Sequence, residues 1–296
     1  MPLSRPVLDE LFRPRWGGGW AVARVLFALA ALEEHKDRFI HIGDAFRHPT
    51  MVFNAGPLHI ANHVLISQPA AYAIWALGLV GLGGMLYGGK WAKPGVLLWF
   101  LAYFAVVISC GLTVRVPERF IVWATAAFLM SPIGETGLLR RRASPYARMF
   151  LLVVYGSLYL STGVMKSVEE PAWWDGTALS YDLVDRWHAG DAVDAWASSQ
   201  HWVCFIGSWY TILFEVGFVF LVGFPRLNRY VLLMGLGMHL FIDVLMEVGP
   251  LGTMAMSLYP VLLNPEDGEY LWEKLTKIVP PIGRLAAWGE RMGGRG

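Results

Sequence analysis

Long apolar stretches recur along this sequence from Trp16 to Leu263, and no polar low-complexity segment separates them. Each stretch is close to the length of about 20 mostly apolar residues that a helix needs to cross a lipid bilayer. Apolar residues make up 55% of the chain and charged residues 16%, whereas soluble domains average about 45–50% and about 25%. The sequence therefore predicts an all-α protein, a polytopic bundle of transmembrane helices.

The apolar stretches divide into about eight candidate spans. The first, fourth and eighth are short, so tilted spans and re-entrant segments are both consistent with them, and a count of six or seven stays open. Trp and Tyr residues stand near many predicted ends, as they do in the aromatic belts of membrane proteins. The predicted spans are Trp16 to Leu32, Pro69 to Tyr87, Pro94 to Leu112, Pro117 to Pro132, Tyr146 to Met165, Trp202 to Phe224, Tyr230 to Met246 and Pro250 to Leu263.

Lys and Arg residues are distributed unevenly between the two sides of this layout. With the N-terminus inside, 16 of the 24 Lys and Arg residues fall on the cytoplasmic side, the side that the positive-inside rule favours. The distribution predicts both termini in the cytoplasm and a multi-pass protein of the cell membrane, which in a bacterium is the inner membrane. Lipid is therefore an expected partner of the chain.

The predicted domain organisation is a transmembrane domain, residues 1–265, followed by a cytoplasmic tail, residues 266–296. Between residues 266 and 279 apolar side chains recur at helical spacing, and Glu273 and Lys277 are four residues apart. This pattern is typical of an amphipathic helix that lies on a membrane surface. We expect the tail to form such a helix.

Several function classes lack their usual motifs in this chain. There is no P-loop, no dinucleotide-binding glycine motif after a strand and no GxSxG. There is also no run of basic residues, so no nucleic-acid partner is predicted. Cys110 and Cys204 show neither CxxC nor metal-like spacing; a disulfide between them and two free thiols are both possible, and free thiols are favoured. His59 and His63 would share a helix face, but no further ligands follow at a recognisable spacing, so no metal is predicted.

Ionisable residues within predicted spans are costly and mark functional candidates. His239, Asp243 and Glu247 stand at i, i+4 and i+8 in the seventh predicted span, so we expect them to line one stripe of the helix. A structural hydrogen bond at His239 and a solvated helix end at Glu247 are the alternative interpretations. The stripe predicts a polar path from mid-membrane towards the outer surface.

Three further ionisable residues are found in or beside spans. Glu215 lies deep in the sixth predicted span, and Arg24 near the inner end of the first is a candidate partner for it, most simply in a structural ion pair. Lys166 ends the fifth predicted span at the outer boundary. A lysine there could extend its amine to the interface, or it could act in an outward-facing site.

The segment YGSLYLSTGVMKSVEEPAWWDGTALSYDL, residues 155–183, carries a recognisable pattern. A tyrosine-rich helix is followed by a small-residue turn, a lysine, and then Trp, an acidic residue, Gly and a small residue. This pattern resembles the vitamin K-dependent gamma-carboxylase-like superfamily, also called the horizontally transferred transmembrane domain family. His239 followed by Gly249, and Glu215 in Phe-Glu-Val-Gly, are similar to neighbouring segments of that family. The residues that match the main pattern are Tyr159, Gly163, Lys166, Trp174, Asp175, Gly176 and Thr177.

The resemblance implies a membrane enzyme with a quinol-type cosubstrate, such as vitamin K hydroquinone or menaquinol, in an outward-facing intramembrane pocket. It assigns Lys166 the role of the base that deprotonates the quinol. An amine at the mouth of an apolar pocket loses hydration and becomes a base near neutral pH. We expect His239 to orient or polarise the bound oxygen with Asp243 beside it, and Glu215 to support the core. Trp174, Asp175 and Gly176 would form the pocket rim.

Two observations keep other functions open. The chain reads Arg-Val-Pro-Glu-Arg at residues 115–119, where the carboxylases have an Asn-His pair, and it ends about 30 residues after the last predicted span. The resemblance therefore does not identify the acceptor substrate. The alternative is a non-catalytic maturation or export factor, whose acidic outer loop between Lys166 and His201 would bind a cationic secreted peptide. A transporter would be expected to show inverted repeats, and we detect none.

Overall fold

The computed structural model describes residues 14–47, 67–109, 116–135, 141–184, 192–246 and 250–278. It is about 86% helical, which confirms the all-α prediction. Two short strands, β1 (Arg15–Trp16) and β2 (Arg142–Ala143), pair in a two-stranded sheet. The helices are α1 (Gly18–Arg47), α2 (Gln68–Tyr87), α3 (Ala92–Ser109), α4 (Val116–Met130), α5 (Tyr146–Val164), α6 (Thr177–Asp182), α7 (Ala192–Ser199), α8 (His201–Leu221), α9 (Pro225–Leu245), α10 (Leu251–Ser257), α11 (Tyr259–Leu262) and α12 (Pro265–Ile278).

Five helical segments within these ranges are long and apolar enough to cross a membrane. The fourth predicted span forms α4, which contains a shorter apolar stretch, and the eighth forms the two short helices α10 and α11. The five segments are Gln68–Tyr87, Gly89–Val107, Tyr146–Glu169, His201–Leu221 and Pro225–Leu245.

The helix that contains the first predicted span, Trp16 to Leu32, continues beyond it, since α1 ends at Arg47. The polar residues just beyond Leu32 remain helical since they find buried partners. Tyr103 donates a hydrogen bond to Glu34 Oε1 at 2.8 Å. His35 stacks on Trp75 at 4.6 Å between ring centroids, and the Trp75 indole N–H donates to the His35 carbonyl at 3.0 Å.

The chain divides into two compact units. The N-terminal unit consists of residues 16–143 together with 272–296, and the C-terminal unit of residues 144–271 together with 1–15. In the N-terminal unit, α2 and α3 cross at glycines: a Cβ on Gly81 would lie 2.5 Å from the Trp99 nitrogen, and one on Gly95 would lie 2.6 Å from the Gly81 oxygen. Such small residues let apolar helices approach until their backbones touch.

At the start of the predicted tail, Pro265–Ile278 form the helix α12, with Tyr270, Leu271, Leu275 and Ile278 exposed. A position of this helix on the membrane surface stays a prediction. Its Trp272 ring lies 6.3 Å from the Trp16 ring, centroid to centroid. Residues 279–296 of the predicted tail lie outside the described residues. The boundary between residues 265 and 266 stays a prediction.

Replacing Gly81 by alanine tests the α2–α3 crossing. The added methyl group would overlap the main chain of Trp99, which cannot move aside as a side chain can, so we expect a loss of about 1–3 kcal/mol in the free energy of unfolding. Gly83→Ala is the matched control, since a Cβ there meets nothing within 4 Å. Thermal unfolding of both variants in detergent checks this, and equal melting temperatures would contradict the close crossing.

Candidate functional site

Lys166 lies where α5 stops being a regular α-helix. The helix continues past Val164 as a π turn, Met165–Glu169, which holds one extra residue per turn. Such turns are rare and often occur at functional sites. From this position Lys166 Nζ donates a hydrogen bond to Glu215 Oε1 of α8 at 2.6 Å. The fifth and sixth predicted spans are therefore joined by a lysine–glutamate ion pair.

Gly163, almost one turn before Lys166, allows α5 and α8 to come this close. A Cβ at this position would lie 2.9 Å from Glu215 Cβ and 3.0 Å from the Val216 nitrogen. Only the absence of a side chain permits this approach. Gly163 was part of the pattern of the resemblance, and the structure shows its physical role: it sets the distance across which Lys166 and Glu215 pair.

The ion pair is largely removed from solvent. The side chain of Lys166 is 17% exposed and that of Glu215 is 7% exposed. The Lys166 ammonium also lies 4.8 Å from the centroid of the Trp173 ring, an attractive cation–π contact. Trp173 is held in place because its indole N–H donates to Glu170 Oε2 at 2.8 Å. A pair in such surroundings gains more Coulomb energy than a surface pair but also costs more in desolvation.

His239 is joined to two tyrosines. The Tyr159 hydroxyl lies 2.7 Å from His239 Nε2 and 3.1 Å from the Tyr259 hydroxyl. Gly235, one turn before His239, makes room for this cluster, since a Cβ there would lie 2.7 Å from the Phe214 ring. Tyr159 also packs against Phe214, the residue before Glu215, with ring centroids 5.0 Å apart. The network and the ion pair therefore both connect α5 and α8 inside the C-terminal unit.

Two buried polar atoms of this site have no hydrogen-bond partner within the described parts of the chain. They are Glu215 Oε2 and His239 Nδ1. The two residues are only 5% and 4% exposed. Buried polar atoms are nearly always hydrogen-bonded, and exceptions call for a reason such as catalysis or a bound group. The arrangement can therefore offer a carboxylate oxygen and an imidazole nitrogen to a ligand.

Asp243 contacts the next helix. Its Oδ1 accepts the backbone N–H of Gly252 at 3.1 Å, which satisfies one of the free N–H groups in the first turn of α10. His239 and Asp243, the first two members of the predicted stripe, both lie on α9, which ends at Leu245. Glu247 itself lies outside the described residues. A place for Asp243 beside the oxygen site stays a prediction.

The predicted pocket rim forms a tight turn that leads into α6. Gly176 has φ +83, and a Cβ there would lie 2.6 Å from the Phe205 nitrogen of α8. Asp175 Oδ1 accepts the Thr177 N–H at 2.9 Å, at the start of α6. The Trp174 indole N–H donates to the Ser167 carbonyl at 2.8 Å. These contacts fasten the turn to the π turn and to α8, and its role as a rim stays a prediction.

The predicted pairing of Arg24 with Glu215 is wrong. Glu215 binds Lys166, while the Arg24 guanidinium donates to the Met85 carbonyl and to the Leu86 carbonyl, the latter at 3.4 Å. The last carbonyls of a helix lack partners within it and attract a cation. Arg24 therefore completes the C-terminal end of α2 within the N-terminal unit.

Cys204 is a buried free thiol, which confirms the favoured interpretation for that cysteine, whereas Cys110 lies outside the described residues. His59 and His63 also lie outside them. Within the described ranges no three His, Cys, Asp or Glu side chains are grouped as metal ligands would be.

Sequence reasoning missed two residues that the structure brings into the site. Trp173 was not singled out, although its ring lies against the Lys166 ammonium. Tyr259 was not singled out, although its hydroxyl completes the network at His239. The sequence did carry a signal for Tyr159, the tyrosine that contacts His239, because Tyr155 and Tyr159 are four residues apart and share one face of α5.

Comparison with protein-family models found no match, and comparisons with curated proteins and with solved structures found none either.

Replacing Tyr159 by phenylalanine tests the network. The change removes one oxygen and leaves His239 Nε2 and the Tyr259 hydroxyl without that partner inside a packed region. We expect a loss of about 1–3 kcal/mol in the free energy of unfolding, the cost of an unsatisfied buried group. Tyr181→Phe, at an exposed tyrosine of α6, is the control and should be neutral. Melting temperatures in detergent measure both, and a neutral Tyr159→Phe would refute the network.

Asp175→Asn tests the turn by its pH dependence. Hydrogen bonds from the Thr177 hydroxyl and backbone N–H lower the pKa of the Asp175 carboxyl. A carboxyl whose pKa is lowered on folding stabilises the fold at pH values above its pKa in the unfolded chain, about 3.9. This stabilisation is lost as the pH falls through the pKa in the folded protein. Between about pH 6 and about pH 3 the variant should therefore lose less melting temperature than the wild type. An identical loss in both proteins would contradict the assignment.

Proposed function

We propose that the chain is an integral membrane protein whose five long apolar helices cross the bilayer, with α1, α4 and the α10–α11 pair completing eight spans. The length and hydropathy of the five helices support this, as does the excess of Lys and Arg on one side of the layout. Both termini then lie in the cytoplasm. The membrane is the cell membrane, which in a bacterium is the inner membrane.

We further propose that the protein is a membrane enzyme resembling the vitamin K-dependent gamma-carboxylases. Its Lys166–Glu215 pair takes a proton from a quinol-type cosubstrate, the role that the resemblance gives to Lys166 as base. One observation carries the proposal: a desolvated ion pair stands beside a histidine network, and each has one buried polar atom without a partner in the described chain. A purely structural pair would be expected to satisfy both carboxylate oxygens.

The surroundings of the pair suit an aromatic cosubstrate. Trp173 lies over the ammonium, and Tyr159 packs edge-on against Phe214 with ring centroids 5.0 Å apart. Aromatic side chains favour edge-to-face and offset contacts with another ring. A quinol would supply hydroxyl protons to the site, and the residues present fit it: Glu215 Oε2 can accept from one hydroxyl and His239 Nδ1 can contact a polar group nearby.

The remaining site residues hold the reacting groups and the helices that carry them in place. Tyr159 holds the His239 ring through Nε2, which directs Nδ1 away from the hydroxyl network. Gly163 sets the separation of α5 and α8. Trp174, Asp175 and Gly176 shape the turn that borders the π turn, and Asp243 fixes the start of α10 relative to α9.

The proposal predicts turnover of a reduced quinone. Purified protein supplied with vitamin K hydroquinone or menaquinol and oxygen should release the quinone epoxide, detected by mass spectrometry, with the second oxygen atom leaving as water. Lys166→Ala breaks the pair and should lower the rate by about 100-fold or more, the usual contribution of general acid–base catalysis. Lys90→Ala is the control, since Lys90 is exposed and lies over Trp91 in the N-terminal unit.

Epoxide from wild type and from Lys90→Ala, but not from Lys166→Ala, would support the enzyme. No epoxide from any of the three proteins would reject this cosubstrate class and favour the non-catalytic maturation factor. Equal epoxide from all three would show that Lys166 has no part in the chemistry.

A further inference from the structure

The ion pair has one atom with a free lone pair. Lys166 Nζ lies 2.6 Å from Glu215 Oε1, a separation typical of a charge-assisted hydrogen bond. In that state the ammonium nitrogen has only N–H bonds and cannot accept a proton. A carboxylate has acceptor sites on both oxygens, and Glu215 Oε2 is buried without a partner among the described residues. When the pair is charged, the open acceptor is therefore Glu215 Oε2 and not Lys166 Nζ.

We propose that Glu215 Oε2 is the atom that accepts the proton from a hydroxyl-bearing aromatic ligand, while Lys166 stays protonated and neutralises the charge that the ligand acquires. The inference rests on the function proposed above and deepens it by identifying the acceptor. It departs from the role that the resemblance gives to Lys166, which becomes the residue that orients Glu215 and holds a positive charge next to the ligand oxygen.

The step balances in atoms and charge. The ligand O–H bond breaks, an O–H bond forms at Glu215 Oε2, and the electron pair stays on the ligand oxygen. Before the step the Lys166 ammonium faces a carboxylate, and afterwards it faces the ligand anion and a neutral carboxylic acid. One positive and one negative charge are present throughout, so no isolated charge is created in an apolar region, where it would be costly. No electron is transferred and no further reactant is needed.

The ligand class follows from the aromatic residues near the pair. The Trp173 ring centroid lies 4.8 Å from Lys166 Nζ. Phe214, on the adjacent face of α8, belongs to an aromatic group with Tyr159 and Phe218, whose ring centroids lie 5.0 Å and 5.7 Å from that of Phe214. His239 Nδ1 provides a second buried polar atom in the same region. An apolar phenol or quinol has the required combination of an aromatic ring and an acidic hydroxyl. A sugar or an aliphatic polyol would leave its further hydroxyl groups unsatisfied here.

Arginine at position 166 separates the two assignments. A guanidinium carries the same charge as an ammonium but does not lose a proton in proteins. If the lysine amine were the base, Lys166→Arg would abolish proton transfer. If Glu215 Oε2 is the acceptor, Lys166→Arg keeps the counter-charge and retains a measurable part of the transfer, whereas Glu215→Gln removes the acceptor and abolishes it.

The probe is an apolar alkyl nitrophenol, which absorbs visible light only as its phenolate. Full-length protein in detergent or in lipid nanodiscs is titrated with the probe at a pH at which the free probe stays protonated. Wild type should give a saturable phenolate signal, Glu215→Gln should reduce it by about tenfold or more, and Lys166→Arg should retain at least about a tenth of it. Glu135→Gln, at an exposed carboxylate of the N-terminal unit, should match wild type.

Melting temperatures are measured on every variant, and a comparison is made only between variants that unfold within about 5 °C of wild type. If Glu215→Gln does not meet this limit, Glu215→Asp replaces it, and its shorter side chain should reduce the phenolate signal while keeping the charge. A phenolate signal that survives Glu215→Gln, or one lost in a folded Lys166→Arg, would overturn the inference.

Failure here is distinguishable from failure of the proposed function. A phenolate signal with the expected variant pattern, but no epoxide from any quinol, would uphold the acceptor and reject the enzyme class. Epoxide that depends on Lys166, together with no phenolate signal in wild type, would uphold the enzyme and reject Glu215 as the acceptor.

Discussion

The contact between Lys166 and Glu215 is the interaction on which the rest of the C-terminal unit depends. It requires two helices to touch without a side chain between them, which Gly163 allows, and it requires the lysine to reach across from a π turn. The aromatic residues of this unit therefore pack near a charged pair and not only against apolar side chains. Each charged group in such a place stabilises the fold only through the other, because an isolated charge there would cost several kcal/mol, about 3–5 for a broken buried pair.

The two units use polar groups in different ways. In the N-terminal unit, Arg24 finds helix-end carbonyls, and His35 exchanges hydrogen bonds with Trp75 across two helices. These contacts tie helices together, and Arg24 Nε and His35 Nδ1 are also buried without a partner in the described chain. In the C-terminal unit, Glu215 and His239 each use one polar atom and leave the other unused in the described chain. The C-terminal unit differs in that one of these atoms belongs to a buried ion pair.

Much of the fold could be predicted from the sequence, because length and apolar composition alone identify a helix that can cross a bilayer. Partners across helices could not be predicted so directly. Arg24 and Glu215 were matched by charge and by presumed membrane depth, but depth says nothing about which face of a helix a side chain occupies. Lys166, Glu215 and His239 were singled out because ionisable residues are rare in apolar spans, while Trp173 and Tyr259 were missed because aromatic residues are common throughout an apolar chain.

The π turn after Val164 has a consequence for register. An extra residue in one turn rotates everything that follows by about 100° about the helix axis relative to an unbroken α-helix. Trp173 and Trp174 therefore approach the bundle from a direction that 3.6-residue spacing, counted onward from Tyr155 and Tyr159, would not give. A single insertion or deletion between residues 165 and 169 would leave every side chain chemically unchanged and still turn the tryptophan segment towards a different neighbour. In this part of the chain the number of residues is as strong a constraint as their identity.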